Sequence, residues 1–148
     1  MDYPALAAAY NQMVPFASHV GVHVDEVGPG TARVTLPEGP ERMNHVQSQH
    51  AGALFTAGEA ASGGAFVGGF AERMAEITPL AEKAEIQYRK VARGDITARA
   101  TLSTPADELL TEMDREGRVR FTVQVALTDS GENLVAEMAV GWYVRKKA

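Results

Sequence analysis

The sequence predicts one α+β domain in which a curved antiparallel sheet of about six strands wraps around a single long helix. Three observations lead there. The 148 residues suit one domain able to bury about two thirds of the surface its unfolded chain exposes. Residues 51–71 form a run of 21 with one ionisable side chain, Glu59, which reads as a central helix over about 51–70. Six other stretches have strand composition or period-two alternation. A helix without a wide polar face must be covered nearly all round, and a curved sheet does so with least chain.

In order along the chain, Tyr3 to Val14 is rich in Ala and Leu with no Pro past its first turn, predicting a helix over 3–14 that stops before Pro15. Val20, Val22 and Val24 alternate with His23 and Asp25, Pro29-Gly30 makes a turn, and Ala32, Val34 and Leu36 alternate with Arg33 and Thr35, which is a hairpin. Residues 37–49 hold two prolines, a glycine and many polar side chains and read as a structured loop. After the long helix come strand-like stretches over roughly 82–92, 95–103, 118–128 and 133–145, resembling a meander. Gly94-Asp95 joins the first pair, and Asp129-Ser130-Gly131 makes a tight loop between the last two. Between the pairs, Thr104-Pro105-Ala106-Asp107-Glu108 has the proline and acids of a helix start.

The central run also tests membrane insertion by length. It holds seven alanines and six glycines, and Glu59 near its middle would be costly in lipid, so a buried core helix is expected. Gly58, Gly63, Gly64, Gly68 and Gly69 each cost about 0.5–1 kcal/mol against Ala in a helix interior. That penalty implies close approach of backbone or ligand along the segment.

Composition excludes several classes. There is no cysteine, hence no disulfide, thiol nucleophile or Cys-based zinc site. His19, His23 and His45 lack carboxylate partners at ligand spacing, so no metal is expected. Fourteen basic residues against nineteen acidic, a net charge of −5, give no field for nucleic acid. Met1-Asp2-Tyr3-Pro4 lacks the basic-then-apolar pattern of a secretory signal, so a cytoplasmic location is expected.

Glu59 shares a helical stripe with Phe55 and Phe66. Desolvation there raises a carboxylate's pKa, suiting it as a base towards water or as a nucleophile; a structural glutamate paired to a neighbouring group is the plainer alternative. Asn44 and His50 precede the helix and Gly52 lies in its first turn. The amides near Ala51 and Gly52, at the positive end of the helix dipole, suit a carbonyl or oxyanion, though His50 is equally a capping residue. Glu59 lies roughly 10–12 Å along the axis from those amides. Two copies with antiparallel helices would bring them together, predicting a shared site in a dimer.

The stretch Asn44-x5-His50-Ala51-Gly52-Ala53-Leu54-Phe55-Thr56-Ala57-Gly58-Glu59 resembles the signature of hotdog-fold thioesterases of the phenylacetyl-CoA (PaaI-like) type. The likeness continues through Ala84-Glu85-Ile86-Gln87-Tyr88 and Arg89 to Asp95, and the order of elements extends it over about residues 18–145. It implies a hotdog domain over 1–148 that hydrolyses an acyl-CoA, with CoA part of the substrate and no separate cofactor. It implies a homodimer, or a dimer of dimers forming a homotetramer. By the same resemblance Glu59 is the catalytic acid position, Asn44 orients water or carboxylate, His50 positions the thioester, and the Ala51 amide, beside Gly52, supplies the oxyanion contact. Arg89, Lys90 and Arg93 stand where similar proteins meet the CoA phosphates, or are ordinary edge-strand charge. Phe55 would line the acyl site. Three departures stand out: Ala51 replaces a second glycine, Glu59 is longer than the frequent aspartate, and Gly63 stands where a hydroxyl is common, which Ser62 would have to replace. The alternative is an acyl-CoA- or lipid-binding hotdog protein without turnover.

Overall fold

In the computed structural model, which describes all 148 residues, the chain begins with helix α1, Tyr3–Met13. Asp2 caps it, its Oδ1 accepting from the Ala5 amide at 3.0 Å, which satisfies one of the first-turn donors. Pro15 does more than stop the helix. It opens a second short one, α2, Pro15–Val20, closed by Gly21 at φ 97°, because proline's fixed φ suits a first helical position. Val20 therefore belongs to a helix and not to the first strand. The hairpin is β1, His23–Gly28, with β2, Thr31–Leu36; an irregularity at Asp25 between paired Val24 and Glu26 interrupts its register.

Helix α3 runs from Ala51 to Gly69; no helix of the chain is long and apolar enough to cross a membrane. Strand β3, Ile77–Tyr88, is followed by β4, Ile96–Leu102, helix α4, Ala106–Glu116, and strands β5, Arg118–Thr128, and β6, Leu134–Lys146. Acids in the first turn of α4 and Gly117 at φ 77° past its end mark its bounds.

The six strands form one antiparallel sheet in the order β1-β2-β4-β5-β6-β3. This corrects the expected meander. Asp129-Ser130-Gly131 does lie in the loop that joins β5 to β6, which runs on to Asn133, but β3 and β4 are not neighbours, and Gly94-Asp95 lies on a crossover. Strand β3 instead crosses the sheet and pairs with β6 from Ile77↔Lys146 to Tyr88↔Ala136. It also begins five residues before the expected 82 and ends four before 92. Pro79 hid its start, since proline removes a ladder donor, yet an edge strand tolerates it.

Helix α3 packs on β1, β2, β4, β5 and β6 over Val34, Leu36, Ala98, Val123 and Val140, all fully buried. Phe66, Phe70, Phe121 and Trp142 stack beside it with ring centroids 5.1–6.1 Å apart, a geometry that adds to their area burial. The glycine content of α3 has a specific cause at Gly68. A Cβ there would overlap the Gly28 carbonyl of the β1–β2 turn, so helix backbone meets strand backbone directly. No such cover reaches β3, whose residues from Ala81 to Tyr88 are exposed except for Ile86. Strand β3 is a twelve-residue edge with one row of backbone groups unpaired.

Candidate active site

The start of α3 is built by three polar side chains. Asn44 Oδ1 accepts from the amides of Val46 and Ser48, both at 3.0 Å, while its Nδ2 donates to Ser48 Oγ at 2.8 Å. Gln49 is 2 % exposed; its Nε2 donates to the carbonyls of Pro37 and Gly94 at 3.2 and 3.1 Å and thereby ties the entry loop to both flanking loops. His50 is the N-cap, with Nδ1 accepting from the Gly52 amide at 2.8 Å. An accepting Nδ1 leaves the imidazole proton of the neutral ring on Nε2. The Gly52 amide is thus engaged, whereas the Ala51 amide has no partner in the chain. Beside it opens a groove of about 340 Å³ lined by Asn44, Ala51, Leu54, Tyr88, Arg89 and Lys90 among others. The Tyr88 hydroxyl donates to the Ala51 carbonyl at 3.1 Å.

Ala51, Gly52 and Phe55 are exposed and Glu59 is half-buried, while every other position from Ala53 to Gly68 is buried. These four residues lie on one stripe of α3. Glu59 is outside the groove, eight residues and so about 12 Å from the helix start. Burial pushes its carboxyl pKa up, because low-dielectric surroundings penalise the charged form. The stripe ends at Ser62 and Gly63, both buried. Ser62 Oγ donates to the Glu59 carbonyl at 2.7 Å and is fully enclosed, so its hydroxyl is turned into the helix. Gly63 is covered by Tyr10 from α1, whose hydroxyl occupies the space a Cβ would take, with Trp142 Cζ2 3.9 Å from the same point. Trp142 Nε1 has no acceptor in the chain.

The three basic residues differ in their partners. Arg89 pairs with Glu137 at 2.6 Å, and Arg93 Nη1 donates to the Gln47 carbonyl at 3.0 Å. Lys90 lines the groove without such a partner. The structure thus gathers Asn44, Ala51, Arg89 and Lys90 at the groove, sets His50 and Gly52 in the cap beside it, and leaves Phe55, Glu59, Ser62 and Gly63 along the helix. Tyr10, Gln49 and Tyr88 were not singled out by the sequence. The adjacency of Gln49 to His50, and of Tyr88 to Arg89, was the available signal for two of them.

Residues 4–144 match the family model described as "Domain of unknown function (DUF4442)". The chain belongs to the DUF4442 family. This DUF4442 chain has the hotdog fold, a sheet wrapped around a long helix, shared with PaaI-like thioesterases. A Pseudomonas aeruginosa protein of unknown function, PA5026, described as a probable thioesterase, is 28 % identical with a TM-score of 0.84, over 95 % of this chain and 93 % of that one. The PaaI protein from the phenylacetic acid degradation operon of E. coli is 18 % identical with a TM-score of 0.73, over 96 % and 91 %. A variant of the thioesterase enzyme SAV0944 from Staphylococcus aureus subsp. aureus Mu50 is 16 % identical with a TM-score of 0.70, over 89 % and 99 %. At the last two identities the likeness speaks to fold alone. No curated protein matches the DUF4442 sequence.

Proposed function

We propose that this chain is an acyl-CoA thioesterase that adds water to an acyl-CoA and releases a carboxylic acid and CoA, in a site shared by two copies. The observation that carries the reading is the single stripe of α3 with the unpartnered Ala51 amide at its head and the half-buried Glu59 carboxylate at its foot. An amide donor at a helix N-terminus suits a developing oxyanion, and a carboxylate of raised pKa suits proton abstraction or attack on a carbonyl. The two are about 12 Å apart on one helix, too far to meet one thioester carbon, so a second copy must bring its helix start to Glu59. The uncovered edge of β3 supports that assembly, since paired β3 strands would continue the sheet across a two-fold axis.

In this reading the thioester carbonyl oxygen meets the Ala51 amide of one copy while Glu59 of the other takes a proton from water or attacks directly. The water oxygen bonds to the acyl carbon, at once or by cleaving the anhydride that Glu59 has formed there, the C–S bond breaks, and CoA leaves as the thiol with the proton taken from water. His50 presents Nε2–H to the thioester, Asn44 shapes the loop that delivers it, Phe55 lines the acyl site, and Lys90, with Arg89, meets CoA phosphates at the groove mouth. The PA5026 likeness supports the class of reaction, and an acyl-CoA substrate agrees with the cytoplasmic location expected from the sequence. The test is thiol release across aryl, short-chain and medium-chain acyl-CoAs. Turnover by the wild type and a loss of at least about 100-fold in Glu59→Gln are expected. Tight acyl-CoA binding without turnover in the wild type would instead show a binding module.

A further inference from the structure

A helix leaves its first amides without partners in its own backbone, and at the start of α3 His50 takes up all but one of them. Ala53 and Leu54 both donate to the His50 carbonyl, at 2.9 and 3.0 Å, and Gly52 donates to His50 Nδ1 at 2.8 Å. The peptide unit between Ala51 and Gly52 is held at its other end as well, because the Tyr88 hydroxyl donates to the Ala51 carbonyl at 3.1 Å. One peptide plane thus carries a continuous series of hydrogen bonds, from the phenol through the carbonyl and the amide to the imidazole.

Tyr88 is the last residue of β3. That end of the strand is fixed, since the amides of Arg89 and Lys90 both donate to the Val135 carbonyl, at 2.8 and 3.2 Å. The tyrosine is half exposed, so core packing does not account for its place, and its hydroxyl makes the only hydrogen bond between β3 and α3. Tyr88 walls the groove of about 340 Å³ together with Ala51. His50 walls a second cavity, of about 370 Å³, with His19, Val20, Arg42 and Ala53. The Ala51–Gly52 peptide links the two walls.

A carbonyl that accepts a hydrogen bond polarises its peptide unit, which makes the N–H of that unit a stronger donor. A stronger donor at Gly52 keeps His50 Nδ1 as the acceptor and so keeps the ring proton on Nε2. In the other neutral tautomer Nδ1 carries the proton and cannot accept from Gly52, and Nε2 has no proton to offer a carbonyl oxygen.

We propose that Tyr88 is a positioning residue for the helix start: acting through the Ala51–Gly52 peptide, it holds His50 in the tautomer that presents Nε2–H to the thioester. This rests on the reading of His50 as a group that meets the thioester. It makes the end of β3 part of the site, although no catalytic group lies on that strand. Partial burial pushes the phenol pKa up, so Tyr88 keeps the proton it donates.

The experiment uses Tyr88→Phe in the full chain, which keeps the ring and removes the donor. Long-range ¹H–¹⁵N spectra of histidine-labelled protein read the tautomer of His50, assigned with His50→Asn, at about pH 8, where imidazoles are ordinarily neutral. The wild type should show the Nε2–H form alone, and Tyr88→Phe a mixture with the Nδ1–H form. Hydrogen exchange of the Gly52 amide should quicken about tenfold as its bond weakens. With an acyl-CoA that the wild type hydrolyses, kcat should fall about tenfold with KM little changed. The same tautomer and the same Gly52 exchange in both proteins would overturn the proposal, and so would an altered tautomer with unchanged kcat. The spectra need no turnover. A wild type that hydrolyses no thioester would sink the catalytic reading, while the tautomer would still decide whether Tyr88 holds His50.

Discussion

His50 Nδ1 lies 2.8 Å from the Gly52 amide nitrogen, and this bond decides which of the first amides of α3 can face a ligand. It removes Gly52 and leaves Ala51. A histidine that caps through Nδ1 also points its Nε2–H outward, so one residue both closes the helix and presents a donor.

Replacing His50 separates these two roles. His50→Ala should lower stability by about 1 kcal/mol, the usual cost of a lost cap, in urea denaturation. His50→Asn should keep most of that stability, because asparagine is a strong capping residue, while losing the Nε2–H. Reduced turnover in the asparagine variant at near wild-type stability would show that His50 acts on substrate.

The contact of Gly68 with the Gly28 carbonyl predicts intolerance of a single methyl group. Gly68→Ala should destabilise by about 1–3 kcal/mol, the range of overpacked cores, with a matching drop in denaturation midpoint. Gly141→Ala is the control: the nearest atoms to its Cβ lie at 3.8 Å, an ordinary contact, and its stability should be close to wild type.

The raised pKa of Glu59 has a signed consequence for stability. The folded state binds this proton more tightly than the unfolded state, so Glu59 weakens the fold as pH rises from the ordinary carboxylate value, about 4.3, through the higher folded one. Glu59→Gln should therefore be more stable than wild type at about pH 7, with the gap closing near pH 4. Denaturation curves at the two pH values check this, and a gap independent of pH would contradict it.

Much of this was legible because it is local. The apolar run with one acid marks α3 within a residue of its observed end, the alternation of Ala32, Val34 and Leu36 marks β2, and the loop at 129–133 marks the β5–β6 hairpin. What was not legible depends on pairing between distant segments. The partner of β3 is β6, and nothing in Ile77–Tyr88 alone specifies it. Likewise the spacing from His50 to Glu59 can be read in the chain, but the Tyr10 hydroxyl in the Gly63 notch comes from the docking of α1. The cluster Arg89, Lys90, Arg93 looked uniform, yet Glu137 and the Gln47 carbonyl engage two of the three.

The most direct test of the shared site is complementation between two inactive chains. Ala51→Pro removes the amide donor at the first helical position, where proline is well tolerated, and should lower acyl-CoA hydrolysis by about 10²–10³ with the fold intact. Glu59→Gln removes the carboxylate. When the two variants are unfolded together and refolded, mixed dimers carry one complete site, and activity should return to about a quarter of wild type. A mixture no more active than its separate components would contradict a site built from two copies.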